Sequence, residues 1–180
     1  MRKNYPVWID CEMTGLNPDI HLILEIAVLI TDNDLNIVAE GPNIVIHHDD
    51  EALSTMDSWS RKQHARSGLL REVRDSTITQ ARAERDVLAF LRKHCLKGQS
   101  PACGNSIDTD RRFLVRHMPR VNDFLHYQSI DVSSIKQLAQ RWYPSVKLPV
   151  KKDLHRALPD ILESIEELRF YRTRVFARNV

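Results

Sequence analysis

The stretch Val7-Trp8-Ile9-Asp10-Cys11-Glu12-Met13-Thr14-Gly15-Leu16 constrains this chain more than any other. Its apolar start predicts a buried strand, and two carboxylates then occupy alternate positions. Side chains at i and i+2 of a strand point to one face. Asp10 and Glu12 therefore stand side by side, roughly 6–7 Å apart along the strand. Two acids held that close repel each other unless a proton or cation lies between them. A hard divalent ion with oxygen ligands, Mg²⁺ or Mn²⁺, suits the gap. A strand with a polar outer face that ends at the Thr14-Gly15 turn would show the same pattern. The D-x-E spacing thus needs further acids elsewhere before it points to a metal site.

Leu22 to Asp32 is dense in Leu, Ile and Val and predicts a central strand. Asp32-Asn33-Asp34 is a turn signal. Leu35 to His47 reads as a third strand, interrupted at Gly41-Pro42 by a bulge or bend. Short connections between three successive strands predict an antiparallel meander. Glu25, inside the second strand, is either a further site carboxylate or half of an edge ion pair. Asp57 or Ser58 then caps a helix that carries Trp59 and His64 and stops at Ser67-Gly68. Trp59 either packs over the domain edge or offers a stacking surface for a nucleobase. His64 by itself reads as a surface or hydrogen-bonded histidine. Thr77-Ile78-Thr79-Gln80 has capping-box spacing, and Ala81, Leu88, Leu91 and Cys95 recur at helical intervals up to Lys97-Gly98.

Pro101 to Ser106 reads as a short strand entering a tight loop, followed by a helix from Thr109 that Pro119 ends. Asp110 falls in the first turn of that helix, where the dipole favours an anion. Helix-start chemistry alone would account for it, and Asp108 is a rival for any functional role. Tyr127 to Val132 reads as a last short strand. Ser133 or Ser134 caps a helix carrying Ile135, Leu138, Ala139 and Trp142, which Tyr143-Pro144 stops. Ser145 to Lys152 is a loop with three lysines, able to meet phosphate if it lies near a site. His155-Arg156-Ala157-Leu158-Pro159-Asp160-Ile161 leads into an amphipathic helix with Ile161, Ile165, Leu168 and Val175 as its buried stripe. Pro159 is tolerated only in a first turn and pushes Leu158 away from helical geometry, so this helix should start near Pro159.

The 180 residues contain no internal repeat, linker or low-complexity tract, which predicts one domain over residues 1–180. No apolar run reaches the length of a membrane span. The first strand begins too early for a signal peptide to precede it. Cys11, Cys95 and Cys103 form no C-x-x-C pair and no disulfide framework, which predicts a reducing cytoplasm and argues against structural zinc. A net charge of +2 is mild for a protein that grips long duplexes but leaves room for short or single-stranded nucleic acid.

Three acidic elements share a placement, each where a loop meets a strand or helix: Asp10 with Glu12, Asp110, and Asp160. Such places can converge in an α/β fold, where with His155 they would make a two-metal hydrolytic site. Carboxylates hold two divalent ions roughly 3.5–4 Å apart, one ion lowering the pKa of its water and the other steadying the leaving oxygen. A histidine five residues before the last acid can take the proton from that water.

On these residues the chain resembles the oligoribonuclease branch of the DEDDh 3′-to-5′ exonucleases. The resemblance lies in Trp8 to Leu16, Gly104-Asn105-Ser106 with Asp110-Arg111-Arg112-Phe113-Leu114, and His155-Arg156-Ala157-Leu158 with Asp160. Met56-Asp57-Ser58-Trp59, His64, Ser67-Gly68-Leu69, His126-Tyr127 and Ile130-Asp131-Val132-Ser133 extend it over nearly the whole chain. It implies an α/β, ribonuclease H-like fold with a central five-stranded mixed sheet flanked by helices. It also implies a homodimer and removal of 5′-mononucleotides from very short single-stranded RNA, especially dinucleotides. By family role, Asp10 touches both metals, Glu12 and Asp160 complete one ion, Asp110 serves the other, and His155 is the base. Leu16 and Trp59 pack against two bases, Ser106 and Ser133 meet a 5′ phosphate, Tyr127 reaches the partner's site, and His64 joins the substrate-binding set.

The chain departs from the family pattern at two positions. Gln128 stands where an arginine usually follows the tyrosine, which removes a charge from the grip on a terminal phosphate. Pro159 stands where an acid usually precedes the last metal ligand, which changes the approach to the helix and not the ligand. Two rival readings keep the same residues: a general DNA or RNA exonuclease of this type acting on longer strands, and a non-catalytic nucleic-acid-binding module. Met13-Thr14-Gly15 is not the D-T-G of an aspartic protease.

Overall fold

The computed structural model describes residues 4–149 and 155–176. Lys151 and Lys152 of the basic loop lie outside the described residues. Strands β1 (Val7–Met13), β2 (Ile23–Thr31) and β3 (Ile37–Val45) form the expected antiparallel meander. The sheet continues through β4 (Ala102–Gly104) and β5 (Ser129–Asp131), both parallel to β1, in the order β3-β2-β1-β4-β5. β2 lies inside the sheet, and with helices over both faces it is buried along its whole length, Glu25 and Thr31 included. At Gly41-Pro42, Ala27 pairs with Asn43 and Leu29 with Glu40, so a single residue of β2 faces two residues of β3. That is a bulge, and it accommodates a proline that could not donate to a regular ladder.

Seven helices are described: α1 (Ser58–Arg66), α2 (Leu69–Asp75), α3 (Gln80–His94), α4 (Ile107–His117), α5 (Pro119–Asn122), α6 (Val132–Trp142) and α7 (Ala157–Arg174), with a 3₁₀ turn at Ala52–Thr55. Strand alternation sorts the core into two layers. Val7, Ile9, Cys11, Ile26, Val28 and Ile30 pack on α3 and α4. Trp8, Ala27 and Leu29 pack on α6 and α7 through Val132, Ala139, Ile161 and Ile165. A third cluster, Leu24 with Leu53, Met56, Leu69, Leu70 and Val73, fastens α2 to the sheet. Among the described residues no helix is long and apolar enough to cross a membrane.

Of the two expected caps of α1, Asp57 serves, accepting from the Ser60 N–H at 2.8 Å. Several other expected boundaries move. Thr79, inside the Thr77–Gln80 box, caps α3 instead of Thr77, and α3 stops at His94, short of Lys97. The helix carrying Asp110 starts at Ile107, two residues early, after Ser106 takes a left-handed φ of 50°. Asp131 caps α6 through the Ser133 N–H, so neither Ser133 nor Ser134 does. A carboxylate is the stronger acceptor there. Leu158 is helical despite Pro159, because α7 begins at Ala157 and the proline falls in its first turn, where no N–H is needed.

Candidate active site

Strand alternation turns Asp10 and Glu12 to the same face as Trp8, the face that α7 covers. Glu12 is buried, and its partner across the ladder is Glu25 of β2. From the start of α7, Asp160 and the preceding His155 approach the same point. Ligand atoms of Glu12, His155 and Asp160 all lie within 4.8 Å of one another. Asp110, 6% exposed in the first turn of α4, arrives from the other side, and its Oδ1 accepts from the Cys11 N–H at 2.8 Å. That bond ties the third acidic element to the backbone between Asp10 and Glu12. Its rival Asp108 points outward and pairs with Arg112 at 3.9 Å.

Burial perturbs these groups, joined at Glu12 and Cys11 by the negative charge of neighbouring acids. Burial, followed by the Asp160, Glu25 and Asp110 carboxylates, pushes the Glu12 carboxyl up to about 8. Burial pushes Asp110 up to about 7, with the Cys11 N–H pulling the other way. The Cys11 thiol is raised by burial and by the same acids, so it stays protonated. His64 is 2% exposed and bonds the Met13 carbonyl through Nε2 at 2.8 Å. A carbonyl only accepts, so Nε2 carries the proton and neutral His64 presents a lone pair at Nδ1. That Nδ1 has no hydrogen-bond partner and lies 3.7 Å from Glu12 Oε2. Burial lowers the His64 pKa while it raises that of Glu12, so the two do not form a standing ion pair near neutrality. The crowded carboxylates of Glu12 and Asp160, with Asp110 beside them, are the hard oxygen donor set of a divalent cation site, and the residues fit such an ion.

The end of β1 also positions the residues around the acids. Thr14 bonds Leu22 through both its N–H and its Oγ1, and its carbonyl accepts from the Asp57 N–H at 3.0 Å, which sets the start of α1. A Cβ on Gly15 would lie 2.4 Å from the His21 ring, so only glycine permits this turn. Leu16 is left 70% exposed and Trp59 59% exposed. The Trp59 ring meets that of His155 edge-on, with centroids 5.3 Å apart. Ser106 and Ser133, 27 residues apart in sequence, come together: the Ser106 N–H donates to Ser133 Oγ at 3.0 Å, and their hydroxyl oxygens are 3.1 Å apart. Ser133 Oγ donates to Asn105 Oδ1, while Asn105 Nδ2 donates to Ser164 and to Glu167. Tyr127 is 80% exposed, its ring against that of His126.

The exonuclease family model, of the RNase T type, matches residues 7–168. An oligoribonuclease of Pseudomonas paraeruginosa is 54% identical over 167 residues, covering 92% of this chain and 93% of the relative. That of Marinobacter nauticus is 54% identical over 171 residues, 94% of this chain and 95% of its own. That of Ralstonia nicotianae is 51% identical, over 98% of this chain and 81% of its own. The chain belongs to the oligoribonuclease family of exonucleases. Its fold matches that of exonuclease I with a TM-score of 0.72 at 15% identity, covering 96% of this chain and 42% of that protein. The five-stranded mixed sheet and its helices are thus those of the ribonuclease H-like exonucleases. Enzymes of this family are phosphodiester hydrolases that use divalent metal, in keeping with the acidic cluster.

Sequence reasoning missed two parts of the site's framework. Asn105 and Glu167 brace the paired serines, and Arg156 binds Glu25 and Glu72 beside the acids. A signal for the second existed: a glutamate in the otherwise apolar run Ile23 to Ile30 cannot be buried without a partner.

Proposed function

We propose that this family member is a 3′-to-5′ exoribonuclease that releases 5′-mononucleotides from very short single-stranded RNA, dinucleotides above all. The observation that supports this most is the convergence of Glu12, His155 and Asp160 within 4.8 Å, with Asp110 bonded to the adjoining backbone. Two divalent ions, Mg²⁺ or Mn²⁺, would supply Lewis acidity and charge neutralisation at the phosphate. Asp10 would reach both, Glu12 and Asp160 would complete one and Asp110 the other. His155 accepts the proton of the attacking water. The new bond joins that oxygen to phosphorus, the bond from phosphorus to the 3′ oxygen of the preceding nucleotide breaks, and that oxygen takes a proton from solvent. Leu16 and Trp59 pack against the bases, Ser106 and Ser133 meet the 5′ phosphate, and His64 holds the end of β1 beneath the substrate. The exposure of Leu16 and Trp59 and the pairing of the serines suit these roles. All three cysteines are buried and free, in keeping with a reducing compartment such as the cytoplasm.

A twofold dimer would complete the site, with Tyr127 of each chain serving the other. Support comes from the exposure of Tyr127 together with Leu138, Trp142 and Tyr143, apolar surface of the kind that interfaces cover. Turnover of a 5′-phosphorylated dinucleotide against a seven-nucleotide RNA, with Mn²⁺ present, tests the activity. Equal or faster cutting of the longer strand would overturn the preference for dinucleotides, and no metal-dependent turnover would overturn the reading as an enzyme. Co-refolding Asp10→Ala with Tyr127→Ala chains tests the sharing. About half the dimers are then mixed, about a quarter of all sites carry neither defect, and activity returns to near that level. No rescue, with mixed dimers demonstrated by mass, would refute the shared site.

A further inference from the structure

Arg156 lies between His155 and the helix that carries Asp160, and carboxylates hold it on two sides. Its Nε donates to Glu25 Oε2 and its Nη2 to Glu25 Oε1, both at 3.0 Å. Nη1 and Nη2 donate to Glu72 at 2.9 and 2.7 Å. Glu25 is fully buried on β2, directly opposite Glu12 in the ladder, and Glu72 is half-exposed on α2. Glu25 Oε2 also accepts from the Ala157 N–H at 3.1 Å. Arg156 is the residue before α7 and offers that helix no side-chain cap of its own. A carboxylate from the sheet therefore caps α7, and the guanidinium ties α2 to the same point.

We propose that the Glu25–Arg156–Glu72 clamp positions His155 and Asp160 against Glu12, making Arg156 and Glu25 positioning residues of the metal site. The proposal rests on the metal-dependent reading above. His155 has a φ of 50°, a left-handed conformation that a residue with a Cβ keeps only where its surroundings impose it. The residue next to it is fixed by two forked pairs, whose geometry sets direction as well as distance. On the other side, the Asp160 N–H donates to the Arg156 carbonyl at 3.1 Å, so the aspartate's place follows from that of the arginine. Glu25 is a support and not a ligand, because both its oxygens are taken by the guanidinium and the helix N–H. A lysine would keep the charge but could not span both carboxylates in one plane.

The test titrates Mn²⁺ into substrate-free protein, read by electron paramagnetic resonance, alongside thermal melting and dinucleotide hydrolysis. Arg156→Lys should weaken Mn²⁺ binding about tenfold or more, the loss typical when a ligand's support is removed. Its kcat should fall similarly while KM stays within about twofold. Glu72→Gln, at a half-exposed position that folding tolerates, should shift both in the same direction by about two- to threefold. Val87→Ala, on the buried face of α3, should lower the melting temperature and leave Mn²⁺ binding unchanged, separating the clamp from general stability. The proposal is overturned if both clamp variants melt cooperatively yet bind Mn²⁺ and turn over as the parent does. Should Arg156→Lys not fold, unchanged binding in Glu72→Gln overturns it alone. Failure of the underlying reading looks different: the parent protein itself would bind no Mn²⁺, and both proposals would fall.

Discussion

Without divalent metal, the crowded acids should make this protein less stable as pH rises, and Glu12 allows the effect to be sized. Its carboxyl titrates at 4.5 as an ordinary glutamate and at about 8 in the folded chain, where burial and three other carboxylates oppose its charge. Below pH 4.5 the folded and unfolded chains both hold the proton and stability is full. Between 4.5 and about 8 the unfolded chain releases it and the folded chain keeps it, so stability falls across that window, and above it the loss is complete. The full difference corresponds to ~5 kcal/mol. Rearrangement of the site and entry of water from the cleft relieve part of the repulsion, leaving ~2–3 kcal/mol to be observed. For a chain of this length that lowers the melting temperature by ~5–10 °C between pH 5 and pH 9.

The assay is thermal melting in EDTA across that range, repeated with Mn²⁺ and with Glu12→Gln. Metal should flatten the profile by binding the ionised carboxylates of the folded state only. Glu12→Gln should also flatten it and melt higher than the parent at pH 9 without metal. It should not abolish the slope, because Asp110, pushed up to about 7 by burial, loses its proton in the same window. A flat metal-free profile for the parent would refute the electrostatic argument. A sloping profile that Mn²⁺ does not restore would show that these carboxylates are not metal ligands.

Further outcomes are expected from single substitutions. Asp10→Asn should melt near the parent temperature yet release nucleotide at least roughly a thousandfold more slowly, since a neutral amide cannot bridge two cations. His155→Ala should lower kcat at saturating Mn²⁺ by about two orders of magnitude or more; a rate near the parent's would mean another group takes the proton. Gln128→Arg should tighten binding of a 5′-phosphorylated dinucleotide, measured by competition in Ca²⁺, and do so less for one lacking the phosphate, because the added bond is charge-assisted.

What the sequence disclosed and what it withheld divide along the range of the interactions. Asp10 and Glu12 on one face of a strand, Asp110 and Asp160 in first helical turns, and the Gly41-Pro42 bulge follow from rules that span a few residues. Even at that range, competition between neighbours misleads: Asp131 takes the capping role from two adjacent serines, and Thr79 takes it from Thr77. Helix α2 went unread because seven residues are too few to establish a period, and its folding depends on Leu69, Leu70 and Val73 meeting Leu24 of the sheet. Contacts across the chain were beyond reach for a further reason. Ser106 meets Ser133 only because β5 pairs with β4, with Gly104 opposite Asp131, and no local pattern records that pairing. Glu25 marks the boundary most clearly. An acid inside an otherwise apolar inner strand must find a cation or lose its charge, so its need for a partner could be read. The partner, Arg156, lies 131 residues away and is chosen by the packing of α7 on β1 and β2. The helix that brings this arginine also brings Asp160, so the clamp on the sheet and the ligand beside Glu12 are set by one packing event.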